Sequence, residues 1–216
     1  TGALTATSRG ALNAGSGTVT LTNTGNDFTG AVSLSNSGAN NVSLRDTNGL
    51  ILGNVNVGTG TLGVQAVGIT QAAGTAIVQS AAAGAANFNS GGGVLTLANT
   101  GNDFTGTVNL TGGATQITDA NALTLGTLAT GALTATSTGA LNLGSGTVTG
   151  NLAATSNNGA IGQTGALAVT GSSTINAGSG AITLANTGND FTGAVSLGNS
   201  GANDVAFSDA NALVLG

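Results

Sequence analysis

Apolar and polar residues alternate along most of this chain. Examples are Val19–Leu21, Val32–Leu34, Val42–Leu44, Val55–Val57 and Leu62–Val64, each with Thr, Ser, Asn or Gly in the middle. A period of two places aliphatic side chains on one face of a β-strand and polar side chains on the other. Clusters of Gly, Asn, Asp and Ser separate these segments and favour tight turns. Helix is disfavoured, because Gly interrupts every window and β-branched residues are frequent. The pattern therefore predicts an all-β fold of short strands.

The sequence Asn-Thr-Gly-Asn-Asp-Phe-Thr-Gly, termed here the Asn-Asp-Phe motif, occurs three times, at Asn23–Gly30, Asn99–Gly106 and Asn186–Gly193. A β-sandwich would also suit strands at this spacing, but it gives no reason for nearly identical repeats. A solenoid does, because equivalent residues of successive turns lie above one another at roughly 4.8 Å. Turns of roughly 20 residues then predict a parallel β-helix (β-solenoid) of about ten coils.

A second motif, Asp-Ala-Asn-Ala-Leu-x-Leu-Gly, is found at Asp119–Gly126 and Asp209–Gly216, with a looser copy at Asp46–Gly53. We term it the Asp-x-Asn motif. The opening segment Thr1–Ser8 returns at Thr130–Ser137, shortly after the second Asp-x-Asn motif. The chain thus ends on a motif that elsewhere precedes the one with which it begins, as expected of an excerpt from a longer repeat array.

The remaining segments are more divergent. Segments 54–90 and 150–177 carry neither motif, but they keep the apolar alternation. We therefore expect residues 1–216 to form a single parallel β-helix segment, with these stretches as further turns. The residues predicted to face the interior are Val19, Leu21, Val32, Leu34, Val42, Leu44, Leu50, Leu52, Val108, Leu110, Leu123, Leu125, Ile182, Leu184, Val195, Leu197, Val205 and Phe207.

The amino-acid composition argues against several classes of function. Of 216 residues, 39 are Gly, only nine are charged (seven Asp and two Arg), and the net charge is −5. Without a basic patch or an aromatic surface, nucleic-acid binding is not expected. No apolar run is long enough to insert into a membrane, and the absence of Cys excludes a disulfide scaffold. His, Cys, Lys, Glu and Tyr are all absent, so we expect no enzyme, and no residue is assigned to catalysis, a cofactor or a metal.

Three segments carry a family resemblance. Gly17–Gly30, Ala122–Gly126 and Gly139–Asn142 resemble the stalk repeats of very large filamentous-haemagglutinin-like bacterial surface proteins. The resemblance implies a right-handed parallel β-helix and two-partner secretion, in which a dedicated pore exports the protein through the outer membrane. It also implies a location at the bacterial cell surface and a role as adhesin, fibre or toxin-delivery stalk. A passenger repeat of an autotransporter is a neighbouring possibility.

Asp27, Asp103 and Asp190 occupy equivalent positions of the Asn-Asp-Phe motif. Equivalent carboxylates at solenoid corners could form a calcium ladder, but calcium requires six to eight oxygen ligands. These residues lie several turns apart along the chain and cannot share an ion. Asp and Asn also form turns through hydrogen bonds from side chain to backbone, without any metal. The structural interpretation is therefore preferred.

Phe28, Phe104 and Phe191 follow those Asp residues. A ligand-stacking role is one interpretation of these aromatic side chains. The alternative is that each fills the core at a corner where the cross-section widens. We favour the second, because exposed aromatic side chains on a repeat protein promote aggregation.

Thr-x-Thr segments such as Thr134–Thr136 raise the alternative of ice binding, which needs a regular array of Thr on one face. Equivalent outward positions carry Ser, Asn or Ala instead, as at Ser33, Asn109 and Ala206. Outward Thr is also ordinary strand composition. Direct glycan binding is a further alternative, although the few Phe residues supply no evident aromatic platform.

The preferred function is mechanical. We expect a structural stalk or fibre segment of a secreted bacterial adhesin or filament, which holds binding modules away from the cell. Contact with host or neighbouring cells would then lie in modules outside this segment. Because terminal turns expose unpaired strand edges, end-to-end or lateral self-association as a fibre is also expected.

Overall fold

The computed structural model describes residues 2–216, which form strands and turns without any helix. The described chain contains 26 strands. In chain order they are β1 (Thr5–Ala6), β2 (Gly10–Asn13), β3 (Val19–Leu21), β4 (Asp27–Phe28), β5 (Val32–Ser35), β6 (Val42–Arg45), β7 (Leu50–Val57), β8 (Leu62–Gln65), β9 (Ile69–Gln71), β10 (Ile77–Gln79), β11 (Ala86–Asn89), β12 (Leu95–Leu97), β13 (Val108–Gly112), β14 (Thr115–Asp119), β15 (Leu123–Thr130), β16 (Leu133–Ser137), β17 (Leu141–Asn142), β18 (Ser145–Val148), β19 (Leu152–Thr155), β20 (Ile161–Gly162), β21 (Leu167–Val169), β22 (Ser173–Gly178), β23 (Ile182–Leu184), β24 (Asp190–Phe191), β25 (Val195–Asn199) and β26 (Val205–Phe207).

Most strands form two large parallel sheets, and β1 pairs with β4 in a separate two-stranded sheet. An 11-stranded sheet follows the order β2-β5-β7-β9-β12-β14-β16-β19-β22-β25, with β10 paired to β7 off this path. A 13-stranded sheet follows β3-β6-β8-β11-β13-β15-β17-β20-β23-β26, with β18, β21 and β24 branching from β15. Neighbours within a sheet are one turn apart in sequence. This is a parallel β-solenoid of about ten turns, as the sequence predicted.

Two long strands connect neighbouring faces. β7 and β15 each contain eight residues. β7 pairs with β9 through its first half and with β10 through its second half. β15 pairs in the same manner with β17 and with β18. A strand that turns a corner without breaking its ladder keeps its backbone N–H and C=O groups paired.

Apolar residues stack on apolar residues from turn to turn. One interior column consists of Val19, Val42, Leu62, Ala86 and Val108, which pair in this order across β3, β6, β8, β11 and β13. The buried apolar residues form one cluster that extends along the chain from Val19 to Val195. Burial of apolar area is the main favourable contribution to folding, so this column is the basis of stability.

Most predicted interior residues are buried. Of the predicted positions, the buried ones are Val19, Val32, Leu34, Val42, Leu44, Leu50, Leu52, Val108, Leu110, Leu123, Leu125, Ile182, Leu184 and Val195. Leu21, Leu197 and Phe207 are partly buried and pack against the same cluster. Val205 was predicted to be buried, but it is 45% exposed. It pairs in register with Ile182, so it faces inward, but no later turn of the described chain covers it.

The divergent segments form further turns of the same solenoid. Residues 54–90 supply the second half of β7 and strands β8 to β11, and residues 150–177 supply β19 to β21 and most of β22. The alternation seen in the sequence of these segments is also seen in the structure, since their inward aliphatic residues are buried. These residues are Val64, Ile69, Ile77, Leu152, Ile161, Leu167 and Val169.

Candidate functional site

The corners that carry the Asn-Asp-Phe motif begin with a tight turn. Asn26 donates its backbone N–H to the carbonyl of Asn23 at 3.2 Å, and the other two copies repeat this bond at 3.2 and 3.1 Å. The side-chain Oδ1 of Asn23 also accepts the N–H of Gly25 at 2.9 Å. Asn forms such local turns readily, because its short side chain reaches the backbone two residues on.

The second Asn of the motif is buried and bridges two turns. Asn26, Asn102 and Asn189 are 2%, 0% and 0% exposed. In each copy Oδ1 accepts a backbone N–H from the preceding turn: Leu4 at 3.0 Å, Ile77 at 2.9 Å and Leu167 at 3.0 Å. In each copy Nδ2 donates to the carbonyl five residues earlier in its own turn. The side-chain amide therefore replaces a peptide group in the ladder.

Two of these buried amides are paired with a Gln. Gln71 and Asn102 exchange two hydrogen bonds, at 2.7 and 3.1 Å. Gln163 and Asn189 repeat the arrangement at 2.7 and 2.9 Å. Sequence reasoning missed these Asn residues and concentrated on the Asp beside them. The available signal was that Asn precedes Asp in all three copies.

The Phe residues fill the core, as expected. Phe28, Phe104 and Phe191 are 3%, 2% and 1% exposed. Phe104 packs edge-on against Phe88 with the ring centroids 6.1 Å apart, and Phe191 lies 4.9 Å from Phe207. Their rings are therefore part of the apolar interior and not a ligand platform.

The two motifs interlock on adjacent turns. The backbone N–H of Phe28 donates to Oδ1 of Asp46 at 3.2 Å, Phe104 donates to Asp119 at 2.8 Å, and Phe191 donates to Asp209 at 3.1 Å. The residue after each of these Asp residues donates in return to the carbonyl of the buried Asn, at 2.7 to 2.8 Å. Each Asp-x-Asn motif thus caps the Asn-Asp-Phe motif of the turn before it.

Asp27, Asp103 and Asp190 lie at separate corners, and all are partly exposed. Asn48 donates its Nδ2 to Asp27 at 3.2 Å, and Asn211 does the same to Asp190 at 2.9 Å. Within residues 2–216, no three His, Cys, Asp or Glu side chains come together in a way that could hold a metal ion. The carboxylates of Asp27 and Asp190 instead link successive turns through amide groups.

Asp119 has the most unusual electrostatic environment. It is 0% exposed, and its carboxylate accepts the N–H groups of Phe104 at 2.8 Å and Asn121 at 2.7 Å. Loss of solvation on burial raises the pKa of Asp119 above its usual value, and the two backbone hydrogen bonds oppose this. The nearby charge of Asp103 raises the pKa further.

The second copy of the Asn-Asp-Phe motif occupies a different corner from the other two. The strand before it, β12, belongs to the 11-stranded sheet, whereas β3 and β23 before the other copies belong to the 13-stranded sheet. The same hydrogen bonds form at both corners. The motif therefore forms the same structure at either corner. The number of residues between its copies does not correspond to a whole number of turns.

A shallow polar groove crosses the 13-stranded sheet where Gly63 supplies no side chain. It has a volume of about 290 Å³, and its lining includes Ser43, Arg45, Gln65, Asn87 and Asn89. The guanidinium of Arg45 forms no hydrogen bond or ion pair with residues 2–216. Within residues 2–216, Arg45 is the only cationic side chain on a strand, and here it lies beside several amide groups.

The outward face of the 11-stranded sheet carries Thr on some ladders and mixed residues on others. The paired outward positions in β12, β14, β16, β19 and β22 are Thr96, Gln116, Thr134, Ala153 and Thr174. Long, small and branched side chains thus alternate along this ladder. The neighbouring outward ladder of the same sheet carries Thr118, Thr136, Thr155 and Asn176, so Thr stacks on Thr over three turns there.

Fold and corners together define a repeat protein of the parallel β-solenoid class. In residues 2–216 there is no helix with the length and apolarity of a membrane span. Residues 1–35, 39–111 and 130–198 match the family described as Repeats of unknown function (DUF5649), and the chain belongs to this family. No curated protein and no solved structure matches the chain significantly.

Proposed function

We propose that this segment is a rigid stalk or fibre segment of a secreted bacterial surface adhesin or filament. The observation that carries the proposal is the single apolar cluster that continues from turn to turn between Val19 and Val195. Because each turn pairs with the next along whole strands, bending would break several ladder hydrogen bonds at once. Such an object is suited to hold a binding module at a fixed distance from the cell.

The low charge supports the same function. Like charges would repel at every turn of a stack, whereas Asn, Ser and Thr bond to one another along it. The chain has nine charged residues among 216 and no His, Cys, Lys, Glu or Tyr. We therefore propose no enzymatic activity, and no role for a cofactor, a metal, nucleic acid or membrane insertion.

The proposed location is the bacterial cell surface, reached by two-partner secretion. This rests on the resemblance of Gly17–Gly30 to filamentous-haemagglutinin-like stalk repeats, which also implies right-handed winding. Treatment of intact cells of the producing organism with an external protease tests the location. Loss of the segment from intact cells supports it, and full protection until the cells are lysed contradicts it.

Rigidity is tested by a distance measurement. The chain contains no Cys, so cysteines placed at Thr20 and Thr183 can be spin-labelled without interference. Both residues are exposed on the 13-stranded sheet. Eight turns at roughly 4.8 Å predict a narrow distance distribution near ~40 Å. A broad distribution of distances between the two labels would contradict a rigid stalk. A Thr20/Ser43 pair, whose members lie one turn apart, is the matched control.

We also propose self-association through the ends. The last turn exposes Val205, Leu213, Val214 and Leu215 at 45%, 40%, 53% and 70%. Exposed apolar residues beside unpaired strands favour addition of a further turn. Light scattering over a range of concentrations should show a rising mean mass, and a constant monomer mass at high concentration would refute this.

The Arg45 groove supports a second candidate function, direct glycan binding. An unpaired guanidinium beside Gln65, Asn87 and Asn89 suits a carboxylate-bearing oligosaccharide. Titration with a uronate oligosaccharide should show binding that Arg45→Ala abolishes. Arg9→Ala is the matched control, since Arg9 is the other cation and is exposed. Equal losses in both variants would indicate only non-specific charge attraction.

A further inference from the structure

The first copy of the Asp-x-Asn motif differs from the other two at several positions, and one of these changes bears on its chemistry. The residue after its Asn is Gly49 in the first copy, but Ala122 and Ala212 in the second and third. Asn48-Gly49 is one of two Asn-Gly pairs in the chain, the other being Asn158-Gly159. A Gly after Asn matters chemically, because without a Cβ its backbone nitrogen can approach the Asn side chain closely.

The backbone N–H of Gly49 lies in an exposed corner. Asn48 and Gly49 are both exposed, and they lie in the corner before β7. The N–H of Gly49 donates to no group of residues 2–216. A Cβ added at Gly49 would meet only the carbonyl oxygen of Val67, at 3.8 Å. The space around Gly49 therefore does not require Gly here, and its nitrogen donates no hydrogen bond within residues 2–216, although the carbonyl of Asn48 in the same peptide group accepts the N–H of Val67 at 2.8 Å.

We propose that Asn48 is a site of spontaneous deamidation, the preferred one in this chain. The deprotonated backbone nitrogen of Gly49 attacks Cγ of Asn48, the Cγ–Nδ2 bond breaks, and ammonia leaves with the proton. The product is a five-membered cyclic imide. Water then opens the imide at either carbonyl and gives Asp or isoaspartate at position 48. No reactant other than water is needed.

The second Asn-Gly pair, Asn158-Gly159, is not expected to undergo this reaction. The N–H of Gly159 donates to the carbonyl of Ser156 at 3.1 Å, so this nitrogen is already engaged. The side-chain Oδ1 of Asn158 accepts the N–H of Ser179 at 3.0 Å, and the backbone of Asn158 has a φ of 80°. Both reacting groups are thus already hydrogen-bonded, the nitrogen of Gly159 within its own turn and the side chain of Asn158 to the next turn.

Deamidation would act on the interlocked corner. Asn48 donates Nδ2 to Oδ1 of Asp27 at 3.2 Å, and a carboxylate at position 48 would replace this bond by repulsion. Isoaspartate would also add a methylene group to the backbone between two ladder bonds. These are Thr47 N–H to Asn26 and Val67 N–H to the carbonyl of Asn48, both 2.8 Å long. The contact between two adjacent turns would therefore weaken at this corner.

Peptide mass mapping after prolonged warm incubation in mildly alkaline buffer tests the proposal. We expect conversion of the Asn48 amide to acid in most molecules, with isoaspartate detected by enzymatic methylation. Asn121, Asn158 and Asn211 should retain their amides. Asn211 is the closest internal control, because it forms the same bond to Asp190, at 2.9 Å, but precedes Ala212.

Gly49→Ala is the decisive variant. It recreates the Asn-Ala sequence of the other copies and has room for the added methyl group, so it should fold normally and retain the Asn48 amide. An intact Asn48 in the wild-type protein would overturn the proposal. So would equal loss of the amide in Gly49→Ala, or faster loss at Asn158 than at Asn48.

Discussion

The interior columns and the corners of this solenoid follow different rules. Along the column from Val19 to Val108, Val, Leu and Ala replace one another freely. At the corners, Asn26, Asn102 and Asn189 are identical and make the same two kinds of bond. Apolar packing is nondirectional and accepts any side chain of suitable volume. Hydrogen bonding is directional, so a corner accepts one residue type.

This contrast explains why the repeats are recognisable. The aliphatic columns would tolerate extensive drift in sequence without loss of the fold. The interlocked Asn-Asp-Phe and Asp-x-Asn motifs would not, because each change would leave a buried polar group unpaired. The corner unit also works at two different corners, since the second copy follows a strand of the 11-stranded sheet. The two motifs therefore determine where the chain forms these corners, and the apolar alternation determines which side chains face the interior.

A charge in an interior column should have the largest effect. Leu184→Asp places a carboxylate where the side chain is 0% exposed and no cation is near. We expect a loss of ~4 kcal/mol or more in the free energy of unfolding. Chemical denaturation measures it, with Thr183→Asp on the exposed side of the same strand as control. Comparable stability of both variants would show that Leu184 does not face the core.

Removal of a corner amide should come next. Asn102→Ala leaves the N–H of Ile77 and the carbonyl of Leu97 without the side-chain amide, and Gln71 loses its two bonds to Asn102 while keeping the one to Thr75. We expect a loss of roughly 2–3 kcal/mol. The paired core variant Ile117→Val should cost only about 1 kcal/mol. If the order of the two losses is reversed, the distinction between tolerant columns and specific corners is wrong.

The sequence predicted the faces better than the corners, for a physical reason. Alternation of apolar residues is a local property, so the strands, the turn-on-turn stacking and interior residues such as Leu110 could be predicted. The role of Asn102 depends on Ile77 and Gln71, which lie in the preceding turns, and no local pattern shows which turn lies beside it. The capping of Phe28 by Asp46 depends on turn length in the same way.

The burial of Val205 was also mispredicted for a nonlocal reason. Val205 continues the alternation and pairs with Ile182, yet it is exposed because burial needs a turn on both sides. Alternation specifies the face of a strand to which a side chain points. It does not specify whether another layer of the protein is present above it.

A pH titration examines one corner more closely. The pKa of Asp119 is raised above 3.8 in the folded state, mainly by burial. The folded protein therefore binds a proton more readily than the unfolded chain between the two pKa values. The contribution of Asp119 should favour folding most below pH 3.8 and decline as the pH rises through the folded pKa. Thermal melts of wild type and Asp119→Asn over this range measure it, and parallel curves would contradict the raised pKa.

The smallest effect is expected at the exposed end of an interior column. Val205→Ser changes a side chain that is 45% exposed and covered on one side only, so the free energy of unfolding should change by less than ~0.5 kcal/mol in dilute solution. Val195→Ser, one turn within the buried cluster at 1% exposure, is the matched control and should cost several times more.

The comparison between Val205 and Val195 becomes sharper at high protein concentration. If a further turn from another molecule covers Val205, Val205→Ser should then reduce the mean mass in light scattering while leaving the melting of the monomer unchanged. A large loss of stability in dilute solution would instead mean that Val205 is already buried.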